Sequence, residues 1–346
     1  MSGRARHRAA LKGAALVVSV VVAVAGCGVS SPASASPGAR SPSASDTLVR
    51  EPEDGYQSIY DFITSARSTL DMTMFGLADP QAEAALIADA ARGVRVRVLL
   101  DSNPVAGGGP AVNQPAFDNL SSHGVRVAWA WPGVLWHQKS IVADGRAVAV
   151  LTCNLVAKYY AAVRDFGVVT DNPATAAGVE AVFEADLAGT TVPPALGVAP
   201  AGSGLIWSPG AEGGLVDLIA SARPRTVLYA EVEQFDSPAI ERAVVAAAAR
   251  GVTVDLVMPS DTAIASVVSA LRTGGVVVRL YAPAERPYIH AKAISVNNET
   301  VYVGSVNFTT EMTNSDRNMG SITTDPVVVD GVTTTMEHDF AAAPPP

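Results

Sequence analysis

Two stretches of this chain carry the same polar residues at the same spacing. In "HQKSIVADGRAVAVLTCN" (residues 137–154), His137 and Lys139 stand two apart, and Thr152 and Asn154 close the segment. In "HAKAISVNNETVYVGSVN" (residues 290–307), His290, Lys292, Ser305 and Asn307 each stand 153 positions further on. Histidine serves as nucleophile or proton donor near neutral pH, and lysine and asparagine donate hydrogen bonds to anionic oxygens. Positions i and i+2 of a strand share a face, so each His–Lys pair projects together. Asp144–Gly145 is a two-residue hairpin signal, and Asn297–Asn298 suits the same turn. The returning strand then brings Thr152 and Asn154 beside His137 and Lys139, and Ser305 and Asn307 beside His290 and Lys292.

The repeat extends well beyond these residues. From His137 to Leu187 the second copy follows without insertion or deletion, so that Arg164 answers Arg317, Gly167 answers Gly320, Pro173 answers Pro326 and Asp186 answers Asp339. Upstream, "AARGVRVRVLLD" (90–101) answers "AARGVTVDLVMPS" (248–260). In both copies a strand leads into an Ala-rich helix that stops at Arg-Gly, with Gly93 and Gly251 where a C-terminal cap belongs. Strands alternating with helices indicate an α/β fold. The expectation is two pseudo-twofold-related halves, residues 47–190 and 200–341, each a mixed β-sheet flanked by helices. The active site then lies at the interface of the halves, where His137 and His290 share one cleft.

These residues resemble the phospholipase D superfamily, whose mark is H-x-K-x4-D followed six residues on by G-S-x-N. The first copy supplies His137, Lys139 and Asp144, then "LTCN" (151–154) in place of G-S-x-N. The second supplies His290 and Lys292, then Asn297 in place of the aspartate, then an intact "GSVN" (304–307). Asn297 falls at the hairpin turn, where Asp and Asn serve nearly alike. Leu151 is expected to crowd the phosphate pocket slightly, and Thr152 keeps the hydroxyl of serine. The resemblance implies phosphodiester chemistry through a covalent phosphohistidine that water or another alcohol resolves, with no metal and no cofactor. It also implies a carboxylate on a following strand that holds the histidine. Asp165 fits that role for His137, and its counterpart after His290 is the uncharged Asn318, with Asp316 and Glu311 as candidate substitutes. A charged carboxylate fixes the tautomer and stabilises the imidazolium, so His137 is expected to be the nucleophile and His290 the proton donor. Lys139, Lys292, Asn154 and Asn307 would then bind the phosphoryl oxygens, supported by Thr152 and Ser305, while Asp144 and Asn297 serve the structure.

The ends of the chain carry a different message. Residues 1–26 read as an export signal, in which Arg4, Arg6, Arg8 and Lys12 precede an apolar run. That run ends at Cys27 in "VAGC", which resembles a lipobox. A lipidated Cys27 and a cell-membrane lipoprotein are expected, with cleavage near "ASAS" (33–36) and free secretion as the alternative. Residues 27–46 read as a Ser/Pro/Ala-rich tether and the terminal "AAAPPP" as disordered. Cys153 is then left as a lone core cysteine.

Without the four leader cations, 20 basic residues face 33 acidic ones, a net charge of −13. That balance argues against nucleic acid as a partner. The expected function is cleavage or transfer of phospholipid headgroups by a monomer. The alternatives are a secreted nuclease or other phosphodiesterase, and a catalytically degenerate phosphate-binding member. Trp129 and Trp131 either line an acyl channel or pack in the core. Residues 103–115 either cover the cleft or form a plain surface loop.

Overall fold

The structure, a computed structural model, describes residues 46–103, 105–189 and 203–344. The expected signal segment, Cys27 and all of the tether but Asp46 lie outside the described residues. Alternation of helical and strand patterning has the expected result, two sheets with the same strand order. In the first half the order is Thr47–Glu51, Val163–Thr170, Ala147–Leu151, Lys139–Ala143, Thr69–Met74, Arg95–Leu100 and Arg126–Trp129. In the second it is Leu205–Ser208, Asn318–Thr323, Thr300–Gly304, Lys292–Val296, Val227–Val232, Thr253–Pro259 and Val277–Tyr281. In each sheet the last three strands run parallel to one another and the rest pair antiparallel.

Local sequence explains where the connecting helices begin and end. Asp79 caps Pro80–Ala91 and Ser237 caps Pro238–Ala249, each accepting from a backbone N–H of the first turn, with proline at the first helical position. Asn172 and Asp325 cap Pro173–Leu187 and Pro326–Ala342 in the same way. At the other end, Gly93 (φ 90°) and Gly251 (φ 89°) take the left-handed conformation, and the next residues' N–H groups reach back to Asp89 and Ala247 carbonyls.

Each half has its own core, but two further apolar clusters join the halves. One packs Phe166 and Val168 of the first sheet with Ala291, Ala293, Val301 and Val303 of the second, under the last helix. The other packs Val142, Val148 and Val150 with Leu205, Trp207 and Met319. The polar contacts cross as well. Arg164, 1% exposed, donates from Nε to Asp339 Oδ2 at 2.5 Å, and its repeat Arg317 donates to Asp186, the repeat of Asp339, at 3.1 Å. Tyr288–Ile289 adds in parallel to Val163–Arg164, while Trp136 bridges to Arg317. The halves therefore meet as the two protomers of an isologous dimer would. Removing one partner of such a buried ion pair typically costs about 3–5 kcal/mol.

Three expectations need correction. Leu151 does not crowd a phosphate pocket. It is fully buried in the first core, filling the space a Cβ at Gly167 would need. In the second half Tyr302 fills the matching space over Gly320, which leaves room only for Gly304 where Leu151 stands. The chain end is not wholly disordered, because Pro326–Ala342 is helical, Ala343 is buried and Arg279 donates to the Ala343 carbonyl at 3.0 Å. Asp46, assigned to the tether, is buried and accepts from Thr323 Oγ1 at 2.9 Å.

Both hairpin residues accept hydrogen bonds from the segment that leads into the central strand. Asp144 sits at φ 54° and accepts from the N–H groups of Arg67, Ser68 and Thr69 and from Ser68 Oγ. Burial pushes its carboxyl up, but these donors outweigh that and hold it near 2. Asn297, at φ 59°, accepts from Arg223 N and Thr226 Oγ1 with its side-chain oxygen. A side-chain oxygen at this position ties the turn to the start of the central strand, and at Asp144 the negative charge strengthens those bonds. Asp144→Asn is expected to change unfolding free energy by less than about 1 kcal/mol, and Asp144→Ala to lower it by about 1–2 kcal/mol, measured by urea denaturation at pH 7.

Candidate active site

His137 lies just before the strand Lys139–Ala143, and His290 just before Lys292–Val296. Both open into one cavity of about 520 Å³, together with Asn154, Asn307 and Asp165. Lys139 and Lys292 are fully buried beneath it. Lys139 Nζ donates to the His137 carbonyl at 2.6 Å and lies 4.9 Å from the centre of the Phe75 ring. Burial, and then the nearby Lys292 ammonium, push the Lys139 pKa well below its ordinary value. Lys292 Nζ donates to the His290 carbonyl and, at 2.9 Å, to Glu233 Oε2.

The carboxylate assigned to His137 belongs to the other histidine. Asp165 accepts from His290 Nδ1 at 2.8 and 3.0 Å. His137 Nδ1 instead meets the Ser305 carbonyl and Asn318 Oδ1, both at 3.0 Å. Both of these are acceptors, so Nδ1 of His137 carries the proton and Nε2 holds the lone pair when the ring is neutral. The exchange follows from the interface geometry: Ile289 pairs with Arg164, so His290 falls beside Asp165 rather than beside residues of its own half. Asp316 and Glu311 do not substitute for the missing charge, because Asn318 occupies the position against His137.

Thr152 and Ser305 also have a different place. Neither lines the cavity, and both are fully buried. Thr152 Oγ1 donates to Asp165 Oδ1 and Ser305 Oγ donates to Asn318 Oδ1 at 3.0 Å. Each hydroxyl thus orients the group that orients a histidine of the opposite half. Asn154 and Asn307 do face the cavity, and Asn307 Oδ1 accepts from Gln234 N at 3.3 Å.

The two halves of the site differ in electrostatics. Burial, then Lys139, Lys292 and His290, push the His137 pKa well below 6.5. Phe75 stands edge-on to His137, with ring centres 4.7 Å apart. The corresponding position of the second half is Glu233, since Leu70 and Leu228 occupy matching register against Ala143 and Val296. Glu233 has no place in the motif, although it directly follows the central strand Val227–Val232, which itself carries the buried acid Glu231, and acids at such positions are themselves a signal. The aromatic segment before His137 divides: Trp136 is buried over Arg317, while Trp129 and Trp131 line a separate shallow hollow with Pro110 and Gln114. Of residues 103–115, Val105–Gly107 wall the cavity, and the helix Gly109–Ser122 begins soon after.

The assembled groups are two imidazoles facing one cavity, one backed by a carboxylate and one by an amide, above two buried ammonium groups. That set can attack an anionic centre, protonate a leaving group and stabilise the charge between.

Comparison with known proteins agrees with this geometry. The profile of the family described as "Cardiolipin synthase, PLD-like domain" matches residues 59–187 and again residues 215–340. No curated protein matches the chain. Among solved structures, polyphosphate kinase from Porphyromonas gingivalis superposes with a TM-score of 0.64 at 16% identity, over 86% of this chain and 47% of that one. This chain thus spans about half the length of that kinase. Phosphatidylserine synthase from Haemophilus influenzae superposes with a TM-score of 0.62 at 14% identity, over 86% of each chain. These structural likenesses concern the fold, and the doubled profile match covers most of the sequence: the chain belongs to the phospholipase D-like family, with the domain present twice in one polypeptide.

Proposed function

We propose that this protein cleaves phosphodiesters of phospholipid headgroups through a phosphohistidine on His290, with His137 as proton donor. The observation that carries the reading is the Asp165–His290 pair facing an amide-backed His137 across one cavity. In the proposed reaction, His290 Nε2 attacks phosphorus while the bond to the headgroup oxygen breaks. Protonated His137 gives its Nε2 proton to that oxygen, and the headgroup leaves as an alcohol. Asp165 stabilises the positive charge that develops on the His290 ring. Water, or a second alcohol, then gives a proton back to His137 and attacks phosphorus, freeing His290. Lys139, Lys292, Asn154 and Asn307 hold the phosphoryl oxygens, so the charge that a metal would supply comes from side chains. The nucleophile and the donor exchange places relative to the sequence expectation, because the carboxylate has moved to the other ring.

The net charge of −13 outside residues 1–26 favours lipid over nucleic acid as substrate. Val105 and Tyr159 on the cavity wall, 40% and 43% exposed, give its mouth apolar character. The export reading rests on residues 1–26 and on Cys27. It predicts that the chain sediments with membranes and that Cys27→Ser releases it to the soluble fraction, whereas equal sedimentation of the two would remove the anchor.

The central test uses phosphatidylcholine and phosphatidylglycerol vesicles with EDTA and added ethanol, with products identified by mass. Phosphatidic acid together with phosphatidylethanol is expected, as is a phosphohistidine at position 290 in acid-sensitive, alkali-stable peptides. Asp165→Asn should lower kcat by about 10²–10⁴-fold. A phosphohistidine found at 137 instead would reverse the assignment.

The pH dependence has a definite sign. His137 must be protonated to act, and its pKa in the free enzyme lies below 6.5. The value of kcat/KM should therefore fall as pH rises through that pKa. Asn318→Asp places a carboxylate on His137 Nδ1, so the falling limb should move to higher pH. An unmoved limb would assign it to another group.

A further inference from the structure

Glu233 stands where no step above needs a carboxylate. Its Oε2 lies 2.9 Å from Lys292 Nζ and 3.8 Å from His290 Nε2, the nitrogen assigned as nucleophile. Asn307 also bonds to it. Burial pushes this carboxyl up, but Lys292 and His290, with the hydrogen bonds from Lys292 and Asn307, outweigh that and hold it near 2. The carboxylate is therefore ionised at every pH at which the protein would work. Lys292, Asn307 and His290 are also the three second-half groups that a bound phosphoryl group would engage. Glu233 sets one negative charge against Lys292 and beside His290, in the space a phosphoryl oxygen would take. The first half has no such occupant, because Phe75 stands in the matching position and covers Lys139 with its ring.

Resting on the phosphodiesterase reading, we propose that Glu233 is a displaceable internal anion at the phosphoryl subsite, and that it selects diesters whose leaving alcohol carries a cation. A phosphoryl group drawn to Lys292 comes close to the carboxylate on the same ammonium, and repulsion between the two anions drives the Glu233 side chain aside. The displaced carboxylate remains on the wall of the same cavity, where its charge acts on a headgroup bound there. A choline or ethanolamine headgroup, with its nitrogen two carbons from the ester oxygen, offers that carboxylate a replacement cation. A glycerol headgroup does not, and a second phosphate in the headgroup would be repelled. Tyr288 adds an aromatic ring to the cavity wall, a group that attracts ammonium ions. Arg286, also on the wall, turns its guanidinium to the carbonyls of Pro283 and Glu285. The selectivity thus combines attraction to one headgroup with repulsion of others.

The test compares the full chain with Glu233→Gln, which keeps an oxygen acceptor for Lys292 and removes only the charge. Calorimetry with inorganic phosphate reads the subsite without any turnover. The variant is expected to bind phosphate at least about tenfold more tightly, and the kcat/KM ratio of phosphatidylcholine to phosphatidylglycerol to fall at least about tenfold. A melting curve matching that of the wild type would show that the fold is unchanged. Equal or weaker phosphate binding by the variant overturns the displacement, because a purely structural partner of Lys292 would give that result. An unchanged lipid ratio overturns the headgroup selection. If the wild-type protein cleaves neither lipid while the difference in phosphate affinity stands, the lipid function fails and the internal anion survives.

Discussion

Each of the two cavity histidines is held at Nδ1 by the opposite half, and the rest of the site depends on that exchange. His290 leans on Asp165 and His137 on Asn318 and the Ser305 carbonyl. The larger contacts that dock the halves obey the same rule, with Arg164 reaching Asp339 and Arg317 reaching Asp186. The apolar clusters that join the sheets therefore do more than add stability, because they set the distance across which an imidazole finds its partner.

Around this exchange the two halves have kept geometry and changed chemistry. Thr152–Asp165 and Ser305–Asn318 are the same hydroxyl-to-acceptor arrangement, one ending in a charge and one in a dipole. Phe75 and Glu233 occupy one position, the first drying the ammonium beneath it and the second neutralising it. A charge behind one ring favours the cationic adduct, and a neutral acceptor behind the other leaves a stronger acid. The chemical difference between the two sides of the cavity thus comes down to two positions per half.

Much of this was legible in the sequence, for identifiable physical reasons. The 153-residue offset required two copies of one architecture, and the i, i+2 spacing of His and Lys required a shared strand face. Arg-Gly before a strand named the helix ends correctly at Gly93 and Gly251. Which histidine Asp165 and Asn318 would touch was not legible, since sequence separation alone makes Asp165 look like the partner of His137. Only the pairing of Ile289 with Arg164 across the interface decides it. The packing trade of Leu151 and Ala149 for Gly304 and Tyr302 was equally hidden, because each change is explained only by the other. Glu233 was missed because it follows a strand, outside the repeated motif, and its counterpart in the first copy is Phe75 rather than an acid.

The doubled domain in a single chain has an evolutionary consequence. A homodimer built from one such half would carry the same residue on both sides of its axis, so any change behind one histidine would be imposed on the other. Covalent linkage lifts that constraint. Asp165 can be an acid while Asn318 is an amide, and Glu233 can approach one ammonium while Phe75 shields the other. Fusion of the repeats lets a symmetric scaffold evolve the asymmetry that a directional reaction exploits.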